Sequence, residues 1–283
     1  MTESGSSLRA PAKVNLTLRI LGKRQDGYHE VETLMVPLDL ADEVELVRRR
    51  EGAPVLQCDS SEVPGDEENL AVRALRLLEE RCGRDLGLGI RLRKRIPVGA
   101  GLGGGSSDAA AVLRGGNLLS GLGLGAGDLS ELAAVLGSDV PFFLAEQPCW
   151  CRGRGERVIP ADLGGSIDLV LLKPAFPVAT AEAYAAWSGA VEIPGIDYGS
   201  RAYPWGELVN DLERPVFSKH LHLAQLRTWL EGRSEVTGAR LSGSGSTVFG
   251  ILAPGTAGRE ALSREATERF GQSLWVQFCR TLE

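Results

Sequence analysis

The chain has 283 residues, 43% hydrophobic and 24% charged, a globular composition with room for one large domain or two modest ones, of which two is the expectation. A formal charge of −6 and a pI near 5.3 give no overall pull on polyanions, which argues against a general nucleic-acid binder and means that any phosphate site must be built locally. Five cysteines (Cys58, Cys82, Cys149, Cys151, Cys279) without CxxC spacing, a polar opening stretch and no apolar run of membrane-spanning length lead to the expectation of a cytoplasmic protein.

In residues 12–20 apolar Ala12, Val14, Leu16, Leu18 and Ile20 alternate with Lys13, Asn15, Thr17 and Arg19, which predicts a half-buried strand. The turn GKRQDG at 22–27 leads to an extended run over 28–38, and 44–47 offers a third strand, so an antiparallel meander is expected. Leu70, Ala74, Leu77, Leu78 and Cys82 recur at helical spacing and predict a helix over 67–82, stopped by Gly83. Ile90, Leu92 and Ile96 alternate with Arg91, Arg93, Lys94 and Arg95, a strand with a basic outer side. A glycine run follows, then a helix from near Ser106; Gly115 and Gly116 within it each cost about 1 kcal/mol relative to alanine, so either that helix ends early or something packs closely against it. Asp128 with Glu131 three residues on reads as the capped start of a helix lined by Leu129, Leu132, Ala133 and Leu136 and ended by Gly137.

Polar, glycine-rich stretches at 153–155 and 160–166 suggest a boundary, giving expected domains 1–162 and 163–283. The second unit reads as a strand over 167–172, helices near 180–187 and 219–231, a strand–glycine turn–strand over 239–252, a helix over 256–270 and a strand over 275–279, an α+β pattern.

The segment Pro97-Val98-Gly99-Ala100-Gly101-Leu102-Gly103-Gly104-Gly105-Ser106-Ser107-Asp108 sets five glycines in seven positions before a good helix former. Glycine permits close main-chain approach and positive φ, so successive N–H groups converge on an anion while the helix adds its positive end. Ser106 and Ser107 are expected to cap the helix or to donate hydroxyls to phosphate. A Walker A loop requires lysine where Gly105 stands, and a dinucleotide fingerprint should follow a buried apolar strand rather than RLRKRI.

The run PVGAGLGGGSSDAA resembles the second motif of the galactokinase, homoserine kinase, mevalonate kinase and phosphomevalonate kinase superfamily, residues 10–16 (APAKVNL) resemble its first, and 241–249 (LSGSGSTVF) its third. Asp26-Gly27-Tyr28-His29 and Gly137-Ser138-Asp139-Val140-Pro141 are similar to the branch that phosphorylates a cytidine diphosphate derivative of methylerythritol. The resemblance implies an α+β two-domain small-molecule kinase, with an N-terminal ribosomal-protein-S5-domain-2-like domain and a C-terminal ferredoxin-like domain. It further implies ATP and magnesium, transfer to the 2-hydroxyl of that small-molecule acceptor in isoprenoid precursor synthesis, and a monomer or weak homodimer. It carries Lys13 and Asp139 over as the catalytic pair and residues 97–107 as the ATP loop. Asn69 and Lys94 fall beside the adenosine, and Asn15, Tyr28, His29 and Tyr184 at the cytidine end.

The residues themselves supply what phosphoryl transfer needs: a group to take the hydroxyl proton, and cationic or N–H dipoles over the phosphate. Asp139 suits the base, although before Val140-Pro141 it reads equally as a helix N-cap. Lys13 and Asn15 stand on one strand face about 7 Å apart along it. Tyr28 and Tyr184 suit stacking or plain packing alike. The pair His220 and His222 lacks companions at metal spacing and is read as surface.

Overall fold

The computed structural model describes residues 6–49, 52–53 and 55–283; the first residues of the polar opening stretch lie outside them. Two long antiparallel strands, β1 (Ser6–Lys23) and β2 (His29–Arg48), form the spine of the first sheet. The runs expected as separate strands at 28–38 and 44–47 are therefore one. The polar residues between them stay in the ladder because Asp42 turns inward, where its carboxylate accepts from the Ile96 N–H at 2.9 Å. The register of β1 on β2 shifts between Pro11 and Lys13 and again between Asn15 and Thr17, so Lys13 and Asn15 sit between two irregularities that bend the strand.

In chain order there follow β3 (Leu56–Cys58), α1 (Leu70–Cys82), β4 (Leu88–Arg93), α2 (Gly104–Leu119), α3 (Ala126–Leu136), α4 (Val140–Ala145), β5 (Cys149–Gly153), β6 (Arg157–Pro160), β7 (Asp168–Lys173) and α5 (Thr180–Ala186). The remainder is β8 (Arg201–Tyr203), β9 (Gly206–Asn210), α6 (Glu213–Lys219), α7 (Leu221–Glu231), β10 (Val236–Leu241), β11 (Val248–Leu252), α8 (Arg259–Phe270) and β12 (Trp275–Arg280). The first sheet has the order β3-β4-β2-β1-β9-β8, with β5 and β6 paired alongside β2; the second is an antiparallel β10-β11-β7-β12 sheet. Read as β7, β10, β11, β12, that second order is the ferredoxin-like 2-3-1-4. The chain is thus α+β with two sheets. The expected boundary falls between β6 and β7, while β8 and β9, from beyond it, return to the first sheet, β9 lying parallel to β1.

Several elements differ from expectation. β5, β6, β8 and β9 are short strands in glycine- and proline-punctuated sequence that reads as loop. α6, which no sequence signal assigned, carries Pro215 as its third residue, where a proline removes no intrahelical bond. The helix expected over 219–231 begins at Leu221, and the last helix begins at Arg259 because Thr256 is spent on a turn, its hydroxyl donating to Ala253 O at 2.6 Å. α3 begins at Ala126: Asp128 is its third residue and accepts from the Gly125 N–H at 3.1 Å instead of forming the cap itself.

Three apolar cores hold the layers: α1, α2 and α3 on the first sheet; α6, α7 and α8 on the second; and a seam between the sheets where Ala12, Val14 and Leu16 meet Leu169, Leu171 and Phe249. That seam buries the apolar face of β1. Its polar face is buried too, with Lys13, Asn15 and Thr17 all under 5% exposed, so the strand is not half-solvated as its alternation suggests. The basic side of β4 is opposed by β2, where Glu43 faces Arg93 and Glu45 faces Arg91.

The two glycines inside α2 mark close packing. A Cβ on Gly115 would overlap Leu8 and lie 2.9 Å from Leu46 Cδ1, and one on Gly116 would lie 2.6 Å from Leu78 Cδ1, so the helix runs through both and ends at Leu119. We expect Gly115→Leu to lower the unfolding free energy by about 1–3 kcal/mol through overpacking. Gly127→Ala in α3, where a Cβ meets nothing within 4 Å, should raise it by roughly 0.4–1 kcal/mol. Urea midpoints at unchanged m-value check both.

Candidate functional site

A cleft of about 880 Å3 lies between the polar face of β1, the glycine run, residues 63–70, α5 and the turn between β10 and β11. Its floor is main chain. Lys13 N–H donates to Leu102 O at 2.9 Å and Thr247 N–H to Ala100 O at 3.1 Å, so the glycine run is hydrogen-bonded to β1 on one side and to the β10–β11 turn on the other. Ser242 Oγ adds a bond to Gly101 O at 3.0 Å. Gly101 has φ +74°, and a Cβ there would overlap Ser242 O and come within 2.8 Å of Gly245 O.

The helix α2 begins at Gly104, earlier than expected, with Gly103 (φ +73°) in the cap position, where there is no side chain to bond the first N–H groups. The serines therefore do not cap it. Ser107 lies in the opening turn, buried, and its Oγ has no hydrogen-bond partner among the described residues. Orphan donors at a helix start behind a left-handed glycine form an anion-binding concavity.

Lys13 and Asp139, expected as the catalytic pair, meet beside this loop, with Lys13 Nζ 3.5 Å from Asp139 Oδ2. The ammonium also donates to Asn15 Oδ1 at 2.7 Å, so the side chains converge despite their spacing along the strand. Asn15 Nδ2 in turn donates to Thr33 Oγ1 at 2.8 Å, and Thr33 Oγ1 to Thr17 O at 2.6 Å. Asp139 occupies the N-cap position of α4 but makes no capping bond; its carboxylate is a third exposed and faces the cleft.

Lys94 and Asn69 also line the cleft, with their hydrogen bonds already committed. Asn69 caps α1, accepting from Ala71 N at 2.8 Å and donating to Pro64 O at 2.9 Å. Lys94 Nζ is buried against Asp42 and is 2.8 Å from Asp108 Oδ2, beneath the start of α2. One ammonium thus serves two buried carboxylates. Burial first, opposed by Lys94 and reinforced by the Asp42 charge, pushes the Asp108 carboxyl up to about 7, and its Oδ1 has no partner among the described residues.

At the other end, His29 and Tyr184 stand with ring centroids 5.4 Å apart, and His29 meets the edge of Trp187 at 5.8 Å. Tyr28 is half exposed under the Arg154 guanidinium, 4.7 Å from its ring centroid. Burial, then the Lys23 charge, lowers the proton affinity of His29; burial, then Asp139, raises that of the Tyr184 hydroxyl. All the expected site residues except Ser107 line this one cleft. Sequence reasoning missed Asp42, which has no motif around it, and Asp108, which the position directly after the serines could have flagged. It also missed Thr180, whose hydroxyl lies 2.9 Å from that of Ser244.

His220 and His222 are partly buried rather than plain surface residues: His220 stacks on Phe176 at 5.5 Å and His222 meets the edge of Phe270 at 5.5 Å. Among the described residues no group of three or more His, Cys, Asp or Glu side chains is placed to hold a metal, all five cysteines are free, and no helix is long and apolar enough to cross a membrane.

Residues 69–147 match the family described as GHMP kinases N terminal domain, and residues 200–269 match GHMP kinases C terminal. The 4-diphosphocytidyl-2-C-methyl-D-erythritol kinase of Methylacidiphilum infernorum (isolate V4) is 40% identical over 276 residues, covering 97% of this chain and 96% of that protein. The protein of the same name from Synechococcus sp. (strain JA-3-3Ab) is 45% identical over 264 residues, 87% of this chain and 85% of that one. A crystal structure of a 4-(cytidine 5'-diphospho)-2C-methyl-D-erythritol kinase superposes with a TM-score of 0.78 at 36% identity, covering 98% of this chain and 100% of that chain.

The raised Asp108 carboxyl has a signed consequence. Its folded-state value near 7 lies above the ordinary 3.8, so between these values the folded protein binds the proton more tightly than the unfolded chain. Its contribution is greatest below about pH 4 and is lost as pH rises through 7, with a slope of at most ~1.4 kcal/mol per pH unit. Asp108→Asn removes this term. Urea unfolding from pH 4 to 8 should show the wild type losing stability relative to the variant as pH rises; a constant difference would contradict the assignment.

Proposed function

This chain belongs to the 4-diphosphocytidyl-2-C-methyl-D-erythritol kinase family and is a small-molecule kinase, and from that premise we propose that its cleft transfers the γ-phosphoryl group of ATP to the 2-hydroxyl of 4-diphosphocytidyl-2-C-methyl-D-erythritol. The observation that carries the reading is the Lys13–Asp139 pair, 3.5 Å apart, standing between the glycine loop and the aromatic end of one continuous cleft.

In this reading the glycine run and the opening turn of α2 hold the ATP phosphates through main-chain N–H groups. Asp139, free of capping duty, takes the proton of the acceptor hydroxyl as its oxygen attacks the γ-phosphorus. The bond from that phosphorus to the bridging oxygen breaks, and ADP leaves. Lys13, fixed by Asn15, orients Asp139 and offsets negative charge in the transition state. Asp108 Oδ1, which lines the cleft without a partner among the described residues, would once deprotonated offer magnesium a hard oxygen. Magnesium, when bound, neutralises charge on the transferring phosphates. His29 and Tyr184 offer flat faces to the cytosine ring, with Tyr28 at the rim.

ADP release from ATP, magnesium and this acceptor tests the reading; purified protein that makes no ADP contradicts it. Asp139→Asn is expected to keep ATP affinity within about twofold while kcat falls by roughly two orders of magnitude or more. Tyr184→Ala should act chiefly on the KM of the cytidine-bearing acceptor, leaving that of ATP unchanged. Steady-state kinetics against each substrate separates the two effects.

A further inference from the structure

The turn between β10 and β11 stands against Lys13. A Cβ on Gly243 would lie 3.3 Å from Lys13 Nζ and 3.4 Å from Asn15 Oδ1. Besides its bonds to the glycine run, this turn is held by a side chain from neither β10 nor β11. Asn210, at the end of β9, is buried, and its amide nitrogen donates to both Leu241 O at 2.7 Å and Gly243 O at 2.8 Å. Its Oδ1 accepts from Leu212 N at 2.9 Å, so donors and acceptor are all engaged. Three residues on, the buried Glu213 accepts from Leu241 N at 2.9 Å.

The backbone that carries Asn210 is tied to the strand that carries Lys13. Asn210 pairs with Leu18 in the parallel β1–β9 ladder, Asp211 N–H donates to Leu18 O at 2.9 Å, and Ile20 N–H donates to Asp211 Oδ2 at 2.9 Å. A carboxamide anchored on the first sheet thus grips the turn of the second through two carbonyls.

We infer that Asn210 is a positioning residue for the proposed transfer: it sets the gap between the Gly243 turn and Lys13, and through that gap the aim of the ammonium at Asp139. This rests on the proposed function for its kinetic readout but not for its geometry. The amide is the side chain for the task, since it donates twice in one plane; a carboxylate of the same size would set lone pairs against both carbonyls.

Asn210→Asp is expected to lower kcat at least tenfold with the KM of each substrate changed less than threefold. In a Lys13→Met background the same substitution should change kcat less than twofold, because the group it positions is gone. Equal losses in the two backgrounds, or a loss carried by KM, would make Asn210 merely structural and overturn the inference. Gly243→Ala, at φ +57° where a side chain is strained, displaces the turn against Lys13 with Asn210 intact and should reproduce the kcat loss; an unchanged kcat there overturns the inference even where Asn210→Asp does not fold. The 13Cε signal of Lys13 in lysine-labelled protein, identified by its disappearance in Lys13→Met, reads the geometry without substrate and should shift in Gly243→Ala. A Gly243→Ala shift where the wild type turns over no acceptor supports the positioning and refutes the reaction; no Gly243→Ala shift where the wild type is active refutes the positioning alone.

Discussion

Three stretches of main chain meet at Gly101 with no side chain between them. The glycine run, the middle of the Lys13 strand and the β10–β11 turn are in direct hydrogen-bonded contact there, through Lys13 N to Leu102 O, Thr247 N to Ala100 O and Ser242 Oγ to Gly101 O. Buried main-chain groups must find partners, and here each segment supplies what another lacks. Because two of these three bonds are backbone on backbone, the contact has little of the rotamer freedom of a side-chain interface. The glycine run and the strand that carries the ammonium are thereby held in one rigid arrangement, although more than 220 residues of chain separate the first motif from the Leu241–Thr247 turn.

On the proposed reaction, that rigidity is what an acidic chain needs to hold polyphosphate by main-chain donors. Its two buried cleft lysines are occupied differently. Lys94 is enclosed by Asp42 and Asp108 beneath the loop, and its charge is used to hold the start of α2 against the first sheet. Lys13 faces a carboxylate that is partly open to the cleft, so its charge is available to a reacting group. The positive potential at the loop itself comes from helix-start N–H dipoles, which cost no desolvation of a charged side chain when the anion binds.

The two ends of the cleft divide the recognition task. In the proposed reaction main-chain donors read phosphate and are indifferent to the rest of the donor molecule, whereas His29, Tyr184 and Trp187 form a flat apolar platform suited to a ring. On that proposal acceptor choice depends on side chains brought from β2 and α5, elements of different halves of the chain.

Much of this was readable from one dimension. The glycine run and the helix behind it were legible because an anion loop requires glycines at fixed spacing and a core requires periodicity, whereas Lys13, Asp139 and the aromatic positions were reached only through the motif resemblance. The sequence alternation also marked correctly which face of β1 is apolar. It could not reveal that the polar face is equally buried, since the layer covering it comes from residues far along the chain. Nor could it distinguish a capping Asp139 from one facing the cleft, because both follow the same local pattern; only the packing of α4 leaves the carboxylate uncapped. The packing around Gly115 and Gly116, the Asp42–Lys94–Asp108 cluster and the Asn210 clasp belong wholly to tertiary structure. Their partners lie far apart in sequence, and no local propensity records a hydrogen bond or a steric limit between residues that only folding brings together.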